Sequence, residues 1–180
     1  MKETQYKTYT QTYKLNMTIL GIDPGTATTG YGVIQLNPKP ECIAYGCVET
    51  PKELSRGDRL CLLETGIEAL LKEHKPDVVA VEALYFAKNA KTAIAVAEAK
   101  GVILLCIAKH NLLVHEFSPP QIKMTVTGQG KADKQQVQRM VQQQLNLSEL
   151  PKPDDAADGL AIAITCSIFL NHPASQLDSI

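Results

Sequence analysis

Tryptophan is absent from the 180-residue chain and aromatic residues make up only 5% of it, so a core has to be assembled from Leu, Ile, Val and Ala. Paired cysteines are missing too. The five present (Cys42, Cys47, Cys61, Cys106 and Cys166) are an odd number with no CxxC spacing, which argues against a disulfide scaffold or a zinc ribbon. Most lie in apolar runs and read as reduced core thiols of a cytoplasmic protein. The four histidines (His74, His110, His115 and His172) are scattered and read as surface or loop residues rather than ligands. Long apolar stretches are lacking: the longest, Leu160 to Leu170, is interrupted by Thr165 and Ser167 and is too short to span a membrane. Residues 1–16 are polar, without the apolar stretch of a signal peptide, and read as a disordered extension. Met17 directly precedes the first strand and is an alternative start. Residues 172–180 read as a flexible tail.

Net charge is also slight, −1 overall, which gives no global attraction to a polyanion. Its distribution is more telling. From Phe86 to Met140 there are eight bases (Lys88, Lys91, Lys100, Lys109, Lys123, Lys131, Lys134, Arg139) against three acids (Glu98, Glu116, Asp133). Elsewhere acids prevail. Such separation suits a basic binding surface beside an acidic pocket.

The length and the 44% hydrophobic content favour one domain, residues 17–171, with a genuine core. Three strands come first: Thr18 to Asp23, Tyr31 to Leu36 and Glu41 to Val48, with links short enough for an antiparallel meander. From Arg59 the period becomes helical, through Leu60, Leu63, Ile67, Leu70 and Leu71, until Pro76. Asp77 to Glu82 is a continuous apolar run ending in an acid, as in a buried parallel strand. Thr92 to Lys109 is Ala-rich and helical, and Leu112 to Phe117 is a fifth strand. Pro119 and Pro120 open a short helix reaching Val126. A loop from Thr127 to Asp133 precedes a helix marked by Val137, Met140, Val141 and Leu145. The last helix runs from about Asp154 to Asn171. The fold class expected is α/β, a five-stranded mixed sheet flanked by helices.

Four acids stand out. Asp23 closes the first strand before Pro-Gly, which serves a turn as well as it serves a site. Glu82 closes the fourth strand, and ligands gather beyond the carboxyl ends of strands in open sheets. Asp155 and Asp158 are three apart and share a helix face. Capping accounts for one acid at that helix start, but not for Asp158, which enters a helix of Ala, Leu and Ile expected to be buried nearly all round. A buried carboxylate needs a partner or a metal. Four carboxylates could hold two Mg²⁺ ions roughly 4 Å apart, an arrangement suited to phosphodiester hydrolysis.

ILGIDPGTATTGYGVI (Ile19 to Ile34), VEALYFAKNAKTA (Val81 to Ala93) and DDAADGLAIAIT (Asp154 to Thr165), in that order, closely resemble the RuvC-type Holliday junction resolvases. The Lys-bearing stretch from Ser118 to Gln138 fits as well, so the resemblance spans about Met17 to Ser167. It implies an RNase H-like fold, a homodimer, Mg²⁺ dependence (two ions per subunit), paired nicking of four-way junction DNA, and a RuvA–RuvB branch-migration complex as partner. Its four acids carry over to Asp23, Glu82, Asp155 and Asp158, which leaves Asp154 as a cap. Tyr85 falls where the family carries a base-contacting aromatic, ordinarily Phe; Tyr85 or Phe86 could equally pack on the sheet. Lys123 and Lys134 fall on the family's basic positions, suited to phosphates. The Ala-rich helix, with Ile94, Val96, Val102 and Ile103, is the expected dimer face.

Three rivals are separable. An actin-like ATPase needs a second phosphate hairpin and an adenosine-binding glycine motif, neither of which is visible. A nuclease of RNA–DNA hybrids or RNA ends would share the metal chemistry and differ only in substrate. A non-catalytic DNA-binding module leaves the four acids without a purpose.

Overall fold

The computed structural model describes residues 16–84 and 90–171, with side chains described from residue 93 in the second helix. Five strands form one sheet: β1 (Met17–Asp23), β2 (Thr28–Asn37), β3 (Lys39–Glu49), β4 (Val78–Glu82) and β5 (Leu113–Phe117). Their spatial order is β3-β2-β1-β4-β5. The short links make β1–β2 and β2–β3 antiparallel, while β1–β4 and β4–β5 are parallel. This is an RNase H-like mixed sheet, with β1 at its centre. The first two strand links and the helical crossovers follow from link length alone.

Two layers of helix cover the sheet. On one face lie α1 (Arg56–His74) and α2 (Ala90–Lys109), packed on Leu20, Ile22, Val33, Val79 and Val81. On the other lie α3 (Pro119–Thr127), α4 (Lys134–Gln144) and α5 (Asp154–Asn171), packed on Ile19, Ile34, Val78 and Ala80. Residues alternate between the faces along each strand, as the pleat requires. The largest fully buried side chains are all Ile, Leu or Val, as the aromatic shortage implies.

Helix ends are set locally. α1 begins three residues earlier than its apolar repeat indicates, because Ser55 accepts a hydrogen bond from the Asp58 amide. Asp133 caps α4 through Gln136 at 2.8 Å, and Gly128, at φ 73°, ends α3 in the left-handed conformation that glycine adopts without strain. Some expectations need correction. Ile103 is core rather than surface. Only Cys106 and Cys166 are buried thiols; Cys42 and Cys47 are half-buried on the edge strand β3, and Cys61 is exposed. His115 is no loop residue: it lies in β5 against Phe117 and Phe169, its Nε2 buried without a hydrogen-bond partner. Lys100 is buried and Lys109 pairs with Glu64, so the run of bases does not form one binding surface.

Candidate active site

Asp23 and Glu82 end neighbouring strands on the face that carries α5. The loop after Asp23 is fastened from several sides. Thr29 Oγ1 donates to the Gly25 carbonyl at 2.9 Å, Thr50 Oγ1 donates to the Thr26 carbonyl at 2.7 Å, and Arg59 donates to both Thr26 O and Thr50 Oγ1. Asp23 therefore sits on a braced strand end.

α5 brings the other acids, and it does so by lying almost on bare backbone. A Cβ placed on Gly30 would stand 1.9 Å from the Asp155 carbonyl oxygen, and one on Gly159 would stand 2.4 Å from the Tyr31 carbonyl carbon. Only glycine permits so close an approach. The result is a triad: one carboxylate oxygen each from Asp23, Asp155 and Asp158 lies within 4.8 Å of the other two. Glu82 stands outside that triad but shares a hydrogen bond with Asp23. All four acids expected from the sequence are thus neighbours. Asp158 is less buried than its apolar helix suggested, with a side chain 30% exposed, because it points off the sheet end into the acid cluster.

Asp154 is not where a cap would put it. Its carboxylate accepts a 2.7 Å hydrogen bond from Gln138 Nε2 on α4, which holds it apart from the triad. Lys134 faces the acids: its ammonium lies 3.1 Å from Asp158, 3.8 Å from Asp155 and 3.9 Å from Asp154. Lys123 is near enough for its charge to act on Glu82. Tyr85 lies outside the described residues.

The electrostatics follow from crowding like charges. Burial, then Glu82 and Asp158, push the Asp23 carboxyl well above the usual range. Burial also raises Glu82, against the Asp23 hydrogen bond, and raises Asp158, against Lys134. Lys134 is raised in turn: burial opposes its charge, but the three aspartates outweigh that. A site of hard oxygen donors, crowded with like charge and faced by the Lys134 ammonium, fits a divalent cation.

The sequence pattern of the family "Crossover junction endodeoxyribonuclease RuvC" matches residues 19–166. The chain belongs to the RuvC family. Among similar proteins, the crossover junction endodeoxyribonuclease RuvC of Heliobacterium modesticaldum is 51% identical, over 84% of this chain and 94% of its own. The Thermus thermophilus RuvC structure is 30% identical with a TM-score of 0.78, covering 86% of this chain and 96% of that one. T. thermophilus RuvC in complex with Holliday junction substrate is 29% identical at the same TM-score, covering 86% and 95%. Membership in the RuvC family removes the ATPase and non-catalytic readings. Sequence reasoning missed three positions here: Gln138, which engages Asp154, and Gly30 and Gly159, which admit α5. Glycines at alternate positions of β2 (Gly30 and Gly32) were the available signal.

Proposed function

We propose that this protein is an endonuclease that resolves four-way DNA junctions, making paired, Mg²⁺-dependent nicks in recombination and repair. The observation that carries the reading is the convergence of Asp23, Asp155 and Asp158 within 4.8 Å, with Glu82 bonded to Asp23. The T. thermophilus relative bound to a Holliday junction supplies the substrate class. Asp23, Glu82, Asp155 and Asp158 are the metal ligands and catalytic residues, holding two Mg²⁺ per subunit. These residues would hold the metal, whose chemistry there would be to activate water and to offset charge on the departing 3′ oxygen. The protein's part is to hold four carboxylates at the strand ends and the start of α5. Lys134 then leaves the acids for a phosphate of the cut strand. Lys123 and Tyr85 contact DNA, Lys123 at a phosphate and Tyr85 at the junction bases.

Resolution needs two symmetric cuts, and a two-fold homodimer supplies two sites. Its interface is α2, on the stripe of Ile94 (65% exposed), Gly101 and Leu105 (53% exposed). A RuvA–RuvB branch-migration complex is the partner that the family resemblance implies. The test is cleavage of a supercoiled plasmid bearing an extruded cruciform, which loses its junction once a lone nick relaxes it. Linear product is expected. Mainly nicked circles from a species of monomer mass would overturn the paired-nicking dimer and leave a metal nuclease.

A further inference from the structure

Lys100, on α2, is the only charged side chain among the described residues that is buried with the core, at 5% exposure. Lysine is almost never so deep unless paired. Its ammonium donates to Glu116 Oε2 on β5. Glu116 is opposite Val81 in the parallel ladder, so both face α2, while Glu82 and Phe117, the next pair along, face α5. The pair thus lies on the α2 side of the end of β4, with the Lys100 side chain 6% exposed and the Glu116 side chain 45% exposed. The ladder continues one step past Glu82, where the Ala83 amide donates to the Phe117 carbonyl at 2.8 Å. The charge of Lys100 reaches Glu82 itself.

A pair of this kind is a poor stabilising device. Desolvating the ammonium offsets much of the attraction, and apolar replacement of such pairs is often neutral or better. Arg56 and Lys109, which pair with Glu98 and Glu64, are far more exposed than Lys100. Something besides stability accounts for a lysine at this depth.

We propose that Lys100 is a positioning residue for Glu82: paired with Glu116, it ties α2 to the end of β5 and, through the β4–β5 ladder, holds the Glu82 carboxylate toward the acid triad. This rests on Glu82 being a ligand of the metal site. Loss of the tie lets the end of β4 shift, and supporting partners of metal ligands typically contribute about 10- to 100-fold in metal affinity or activity.

The test compares wild type, Lys100→Met/Glu116→Gln, Lys100→Arg and Glu82→Gln. Thermal midpoint, junction affinity without metal, calorimetric Mg²⁺ affinity without DNA, and cleavage rate are measured for each. The double variant is expected to melt at or above the wild-type temperature and to bind junction equally. It should bind Mg²⁺ about 10-fold more weakly and cut about 10- to 100-fold more slowly, with Lys100→Arg recovering most of both. The double variant removes one cation and one anion and leaves the net charge unchanged, so unchanged or tighter Mg²⁺ binding overturns the proposal. A midpoint lowered by several degrees in step with activity also overturns it, as a merely structural pair would behave that way. If Glu82→Gln cuts like wild type, the proposal falls with the assignment of Glu82 rather than through any fault in the tie.

Discussion

The two faces of the sheet solve the same packing problem with opposite materials. Against α1 and α2 the sheet presents Leu20, Ile22, Val33, Val79 and Val81, side chain against side chain. Against the start of α5 it presents glycine, and helix backbone rests on strand backbone. The first contact is tolerant, since neighbouring side chains can relax around a change. The second leaves nothing to move, and it is where the acids are placed. Rigidity is concentrated on the side that needs placement to within about half an ångström.

The largest expected effect tests the acids that the glycine contact delivers. Asp158→Asn and Asp23→Asn keep shape but lose charge. Each should cost at least about 4 kcal/mol of transition-state stabilisation, a fall of about 10³-fold or more in cutting. Gel-shift affinity for the junction should be retained. Asp154→Asn, whose carboxylate is engaged by Gln138, should cut within a few-fold of wild type; an equal loss there would shift the ligand assignment by one residue.

The next pair sets face against face. Gly159→Ala pushes a methyl into the backbone of Tyr31 and Gly32. It should cost about 1–3 kcal/mol of stability and, by displacing Asp158, about 10²-fold in cleavage. Ile67→Ala, on the α1 face, should cost a comparable or larger 2–5 kcal/mol, roughly, yet leave the cleavage rate of the folded protein near wild type. Urea unfolding and single-turnover cutting on both variants decide the matter. Equal kinetic damage from both would erase the distinction between the faces.

Smaller effects come from pH. Asp23, Glu82 and Asp158 have carboxyls raised by burial, so their protonated forms favour the fold. That contribution is complete below the ordinary carboxylate range and is lost as pH rises through the raised values. Without metal, the melting temperature should therefore drift down as pH climbs above about 4. Added Mg²⁺ should reverse the drift, with a larger stabilising increment at higher pH, because ligands must shed protons to bind. A metal increment independent of pH would contradict raised carboxyls at the metal site.

Smallest is His115. Burial lowers it below the ordinary 6.5, so its neutral form belongs to the fold. Its stabilising contribution is present above that value and is lost as pH falls. His115→Phe should gain about 1 kcal/mol at pH 5 relative to pH 8, in view of the buried nitrogen it removes. An unchanged pH profile would show that the ring rotates to find water.

What could be read in the sequence depended on range. Asp23 and Glu82 announce themselves locally, as acids closing apolar runs, and the antiparallel meander of the first three strands follows from link lengths. The tertiary partners of each residue do not. Lys100 was counted with surface bases because α2 is apolar nearly all round, so its pattern names no buried face. Lys134 looked like a free phosphate contact, since nothing local indicates that α4 turns it toward α5. Nothing local marks Gly30 and Gly159 as the points where β2 and α5 touch. Asp158 is only partly buried for a related reason: a helix buried along most of its length still has one end at the mouth of a site.

The acid triad also has a temporal consequence. Asp23 belongs to the first element of the fold and Asp155 and Asp158 to the last. During synthesis, at about 5–20 residues per second, a growing chain carries Asp23 and Glu82 long before α5 leaves the ribosome. No truncated product lacking α5 can assemble the cluster. Completion of the domain is therefore what brings the three acids together.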